Sequence, residues 1–68
     1  MDNKFRVILA YRKKTVSDVH FNTGISKTTL FNLYHNRTKN PELRTLLKIS
    51  DYLNVTVDEL LGIREEVN

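Results

Sequence analysis

Sixty-eight residues with no cysteine leave room for one small domain, and they exclude a disulfide framework or a thiolate metal site. The longest apolar stretch is far below the roughly 20 residues of a membrane span, and the start of the chain is not a signal peptide, so we expect a soluble, cytoplasmic protein. Residues 1–39 carry eight lysines and arginines against two acidic residues, and residues 40–68 carry three against six, which favours a polyanionic partner for one face.

Apolar residues recur at helical spacing throughout the chain, and no stretch alternates as a strand does. Asp2 or Asn3 is placed to cap a first helix. Basic residues 12–14 suit the end of that helix, because its dipole favours positive charge there. The apolar stripe of this helix consists of Phe5, Ile8 and Leu9.

A second helix is predicted over residues 16–23. Thr15 is its N-cap and Asp18, three residues later, is the partner in a capping box. Gly24 ends the helix, because glycine takes a left-handed backbone conformation at little cost. The turn after this glycine is therefore expected to be short.

A third helix is predicted over residues 27–34, with Ser26 as its cap. Ile25, between the glycine and the cap, reads as a buried residue. Leu30 and Leu33 form the inner stripe of the helix. Helix, glycine turn and helix together indicate a helix-turn-helix motif.

A polar, basic and turn-rich segment follows over residues 35–41, with Asn36 suited to a left-handed conformation. Pro41 is expected in the first turn of a fourth helix, over about 42–53. Its predicted apolar face consists of Leu43, Leu46, Leu47, Ile49 and Leu53.

Asn54 is expected to end the fourth helix. Thr56 then caps a short fifth helix over 57–61, with Glu59 as capping-box partner and Gly62 as the end. The predicted architecture is thus an all-α, compact five-helix bundle. Residues 1–62 form the helix-turn-helix domain and residues 63–68 a C-terminal tail.

The third helix carries the residues that could read DNA. Lys27, Thr28 and Asn32 point outward near its start, where a helix-turn-helix places side chains in the major groove. Lysine donates to guanine, asparagine pairs with adenine, and threonine offers a hydroxyl and a methyl group. The basic segment 35–39 just beyond is suited to phosphates.

The chain resembles the lambda-type repressor and Cro class of helix-turn-helix regulators, the XRE family. The resemblance covers residues 15–62 and is carried by TGISKTTL (23–30), the N-x-x-x-N-P turn (36–41) and ISDYLNVTVDELLG (49–62). It implies a lambda repressor-like bundle that binds double-stranded DNA sequence-specifically, commonly as a homodimer on an inverted repeat. It implies no cofactor, metal or small-molecule ligand.

The resemblance also assigns roles by position. The residues in base-reading slots are Ser26, Lys27, Thr28 and Asn32. Those in backbone-contact slots are Thr15, His35, Arg37 and Lys39.

Four positions depart from the family pattern. Val16 stands where a phosphate-contacting glutamine is frequent, and Val19 replaces a commoner leucine. Asn36 stands where glycine is usual. His20 occupies a slot usually filled by alanine, so it must either turn outward or push the two motif helices apart. We interpret it as a packing residue rather than a metal ligand.

Three aromatic residues have open roles. Phe31 and Tyr34 are expected toward the outside of the third helix, against the core rim, the DNA backbone or a partner. Tyr52 is either a core-edge residue or part of a dimer surface. No serine has a base and an orienting acid nearby in sequence, so we expect no enzyme.

Two functions compete. The first is a dimeric transcriptional regulator, more readily a repressor than an activator. The second is a protein-interaction module, antitoxin-like or antirepressor-like, suggested by the acidic second half and the outward aromatic residues. For the first, a homodimer surface is expected in the fifth helix and tail, where apolar residues exceed the needs of one small core. The residues predicted for this dimer surface are Leu60, Leu61, Ile63 and Val67, together with Val55 and Val57.

Overall fold

The computed structural model describes residues 2–63, which form five α-helices and no strand. In chain order these are α1 (Phe5–Arg12), α2 (Val16–Thr23), α3 (Lys27–Tyr34), α4 (Leu43–Leu53) and α5 (Val57–Leu61). The radius of gyration is 11.2 Å, and a folded chain of this length is expected to have about 11 Å. The all-α prediction is confirmed, and the bounds of α2, α3 and α5 are those predicted.

One hydrophobic core joins all five helices. α2 packs against α3 and α4, α1 closes over α3 and α5, and α4 contacts α5. Helix α1 is also tied to α5 by the Lys4 N–H, which donates to the Leu60 carbonyl oxygen at 2.9 Å. The core consists of Phe5, Leu9, Val16, Val19, Ile25, Leu30, Leu33, Leu46, Ile49, Leu53 and Leu60.

The predicted turn residues are confirmed. Gly24 and Gly62 are left-handed, and so are Asn36 and Asn54, both at φ 58°. An asparagine tolerates this region because its short polar side chain can bond locally. Lys13 also ends α1 in this conformation, at φ 57°, and nothing in the sequence indicated it.

The predicted start of α1 needs a correction. Lys4 occupies the N-cap position and makes no side-chain capping bond. The Asn3 side chain caps the helix from one residue before the N-cap position, because its Oδ1 accepts a hydrogen bond from the Phe5 N–H at 2.7 Å. Asn3 is almost wholly buried and has further partners, described below.

The predicted start and apolar face of α4 are also partly wrong. Pro41 lies outside the helix, since Glu42 is the N-cap in an extended conformation and the helix begins at Leu43. Leu46, Ile49 and Leu53 are buried as predicted. Leu43 and Leu47 instead lie exposed, by 64% and 51%, because their positions turn away from the helices that α4 contacts.

The capping box at the start of α2 is present in both directions. The Asp18 N–H donates to Thr15 Oγ1 at 3.1 Å, and the Thr15 N–H donates to Asp18 Oδ2 at 2.9 Å. Hydrogen bonding from the Thr15 backbone, then from its side chain, lowers the pKa of Asp18 below its ordinary 3.8, and Lys14 adds to this. The ionised carboxylate is therefore the form that the folded chain favours.

We expect Asp18→Ala to lower the melting temperature at neutral pH and to do so progressively less in acid. A carboxylate with a lowered folded-state pKa stabilises the fold fully above its unfolded pKa, and that contribution disappears as pH falls through the folded pKa. Melting curves of both proteins between about pH 7 and pH 2 measure the difference. A gap of constant size down to the lowest pH would contradict the capping role of the charge.

Among residues 2–63, the longest helix is α4 with 11 residues, and none of the helices is a candidate membrane span.

Candidate nucleic-acid interface

The turn between α2 and α3 is the structural centre of the motif. Gly24, at φ 79°, donates its N–H to the His20 carbonyl oxygen at 2.9 Å and closes α2. Ile25 then buries its side chain, as predicted, and Ser26 begins α3. Only Gly24 and Ile25 lie between α2 and the cap of α3. A turn this short is typical of two motif helices that cross at a large angle.

The cap of α3 uses the hydroxyl of Ser26 in two bonds. Its Oγ accepts from the Thr29 N–H at 3.1 Å and donates to Thr29 Oγ1 at 2.9 Å. Ser26 is therefore engaged in holding the helix start. Lys27 and Thr28, the next two predicted readers, are exposed on the first turn of α3.

The last predicted reader, Asn32, lies one turn further along and is half-buried. It lines a groove of about 350 Å³ between α3 and the start of α4, together with residues of the following loop. Thr38 and Pro41 also line this groove. The structure thus brings Lys27 and Thr28 together on an open surface, with Asn32 on the same helix but partly enclosed.

The first residues of the basic loop after α3 donate backbone hydrogen bonds to carbonyl oxygens of α3. The His35 N–H donates to Phe31 at 2.9 Å, and the Arg37 N–H donates to Asn32 at 2.8 Å. The His35 ring stacks on Phe31, with centroids 6.2 Å apart and planes 15° apart. His35, Arg37 and Lys39 are all exposed, so three basic or ionisable side chains adjoin the outward face of α3.

Thr15, the fourth predicted backbone contact, is exposed at the start of α2 and acts there as the cap. Val16, beside it, is buried in the core, which accounts for an apolar residue in a slot where glutamine is frequent. The start of α2, like the start of α3, therefore presents exposed polar side chains.

Asn36 holds the loop through its side chain as well as its backbone. Its Oδ1 accepts from the Asn3 N–H at 2.8 Å and from Asn3 Nδ2 at 3.0 Å. Asn3 Nδ2 also donates to the Leu33 carbonyl oxygen at 2.9 Å. Asn3 thus ties the amino-terminal segment to the end of α3. Nothing in the sequence indicated this role, because the partners are 30 and 33 residues away.

Asn36→Gly and Asn36→Ala separate the two properties of this asparagine. Glycine accepts the left-handed backbone but removes the acceptor for Asn3. We therefore expect Asn36→Gly to lower the free energy of unfolding by about 1–2 kcal/mol. Asn36→Ala also places a β-carbon on a left-handed backbone, so its free energy of unfolding should be lower by about another 1–2 kcal/mol. Urea unfolding measures both. A glycine variant as stable as the original chain would rule out a contribution from the tether.

Tyr34 and Tyr52 both pack at the edge of the core, which was one of the alternatives for each. Tyr34 is half-buried and meets Phe5 edge to face at 6.4 Å, so of its open roles the structure shows the contact with the core rim. Phe31 is 42% exposed, as predicted. Tyr52 is half-buried at the core edge, where its hydroxyl accepts from Asn22 Nδ2 at 3.2 Å and Lys14 lies over its ring.

One predicted dimer residue is corrected by burial. Leu60 is 0% exposed and belongs to the core of its own chain, so no partner can reach it. Ile63 is 59% exposed and Leu61 is half-buried at the same end of α5. Val67 lies outside the described residues.

The geometry is that of a helix-turn-helix motif: a capped, outward helix, a two-residue turn from its supporting helix, and a basic loop beside it. A family model for Cro/C1-type helix-turn-helix DNA-binding domains matches residues 4–66. The chain belongs to this family, and the resemblance drawn from residues 15–62 is confirmed. No curated protein and no solved structure matches the chain.

Proposed function

We propose that this chain is a transcriptional repressor that binds a pseudo-palindromic operator as a homodimer. The observation that carries the proposal is the open surface of α3, where Lys27 and Thr28 stand side by side on a capped helix start. Such side chains reach base edges in the major groove, while the loop residues meet phosphates. Repression needs only occupancy of the operator, which a domain of this kind can supply alone.

Enrichment of random duplexes on the purified protein tests the proposal. We expect one half-site repeated with inverted symmetry, with centres about 34 Å apart, or one helical turn. Enrichment without a consensus would contradict a sequence-specific regulator. A consensus sequence without an inverted repeat would contradict only the homodimer and leave sequence-specific binding in place.

Arg37→Ala tests the phosphate role of the loop. We expect weaker binding to every duplex alike, and a plot of log affinity against log salt concentration that is flatter by about one. Arg6→Ala is the matched control, because Arg6 is also exposed but lies on α1. The same salt slope for Arg37→Ala and the original chain would remove Arg37 from the interface.

The homodimer is proposed to form at the end of α5, around Leu61 and Ile63. Sedimentation at micromolar concentration should give twice the monomer mass, and Ile63→Glu should return the monomer. Tyr11→Glu is the control, because Tyr11 is 84% exposed on α1 and should leave the mass unchanged. A monomer for the original chain would contradict this part of the proposal.

A protein-interaction module is the second candidate. Its support is Phe21, a large aromatic residue that is 87% exposed on α2 and takes no part in the core. If the chain is such a module, we expect its binding to DNA to be weak and without sequence preference. The duplex enrichment therefore decides between the two functions.

A further inference from the structure

Side chains of α2 hold the main chain of Ile25 on both sides. The Ile25 N–H donates to Thr23 Oγ1 at 3.2 Å, and the Thr23 hydroxyl donates to the Val19 carbonyl oxygen at 2.6 Å. The Ile25 carbonyl oxygen lies 2.7 Å from His20 Nδ1. Because a carbonyl oxygen can only accept, Nδ1 carries the hydrogen of this bond. The residue that leads into α3 is thereby fixed to the preceding helix at both polar groups.

These bonds act next to Gly24, the residue at which the chain turns out of α2. Gly24, one residue earlier, has no side chain, and a β-carbon added there would have no neighbour within 4 Å. The half-buried His20 ring therefore neither turns outward nor remains a passive spacer. It bonds to the turn between the two motif helices.

We propose that His20 is a positioning residue that fixes the angle between α2 and α3. Its bond to the Ile25 carbonyl oxygen, assisted by Thr23, aligns the start of α3 with base edges while the start of α2 rests on the backbone. The inference rests on the proposed function, because it concerns how the same surface achieves sequence preference.

Geometry indicates which property of binding this angle controls. Asn32 lies about 9 Å along the axis of α3 from the cap residue Ser26, at 1.5 Å per residue, so a rotation of about 10° about the cap moves it by about 1.6 Å. A hydrogen bond to a base does not survive such a displacement. A charge interaction with phosphate changes much less over the same distance. Loss of the His20 bond should therefore reduce sequence preference more than general affinity for duplex DNA.

Three variants of His20 isolate the bond. His20→Ala removes it. His20→Asn places an amide nitrogen where Nδ1 stood, and His20→Gln places one at the Nε2 position, which does not face the turn. We expect the affinity ratio of the enriched operator over a scrambled duplex to fall about tenfold in the alanine and glutamine variants. The asparagine variant should stay within about threefold of the original chain.

Residual dipolar couplings of the free protein give a readout that does not depend on DNA. The angle between α2 and α3 should change in His20→Ala and return in His20→Asn. An unchanged angle, or an equal loss on operator and scrambled duplex, would overturn the positioning role. If the original chain prefers no sequence, the proposed function fails while the couplings still decide the role of His20. If His20→Ala does not fold, the comparison of His20→Asn with His20→Gln carries the same test. Thr23→Val, which removes the acceptor for the Ile25 N–H and the donor to the Val19 carbonyl oxygen, tests the contribution of Thr23 to the same angle.

Discussion

Phe5→Ala should leave the chain largely unfolded at 37 °C and thereby abolish DNA binding. Phe5 is 0% exposed, packs in the single core and meets Tyr34 edge to face. Its removal should cost about 3–5 kcal/mol. A domain below about 70 residues has only about 3–5 kcal/mol of stability from its core, so the loss is comparable to the whole.

Far-ultraviolet circular dichroism during heating measures this loss. Val7→Ala is the matched control, because Val7 lies on the same helix, is 57% exposed and should change the melting temperature little. A Phe5→Ala variant with nearly the original melting temperature would mean that α1 contributes little to the core. Such a result would conflict with the contacts of α1 to α3 and α5.

Lys27→Ala should relax the operator preference at one base position. A base contact of this kind discriminates by about 1–3 kcal/mol, which corresponds to a factor of about 5 to 150. Binding to scrambled duplex should change much less, because the phosphate-facing loop remains intact. This pattern is the reverse of that expected for Arg37→Ala.

Affinities for the operator and for each single-base variant of it measure the effect. Lys48→Ala is the control of equal charge change, since Lys48 is exposed on α4, in a groove that Leu47 and Val55 also line. If Lys27→Ala weakened all duplexes by one common factor, Lys27 would be a phosphate contact. Its place among the base readers would then be wrong.

Local rules account for most of what was predictable. Caps and left-handed turn residues act within four positions of the chain, so the bounds around Thr15, Gly24 and Thr56 could be read from the sequence. Where tertiary packing decides, the pattern was insufficient. Leu43 and Leu47 satisfy a helical stripe on α4 but face away from its neighbours.

The site divides in the same way. The exposure of Lys27 and Thr28 follows from helical periodicity and the position of the cap. The partner of His20 could not be predicted, because the choice between turning outward and spreading the helices omitted a hydrogen bond to the turn. The partner of Asn36 is 33 residues away, and no periodicity connects the two positions.

The pairing of Asn3 with Asn36 has a consequence for the divergence of related sequences. A relative with glycine at position 36 keeps the turn but offers no acceptor, and a buried asparagine at position 3 would lose two hydrogen bonds. Selection should therefore replace both residues together or neither. In an alignment of relatives, covariation between these positions should exceed that of either with its sequence neighbours.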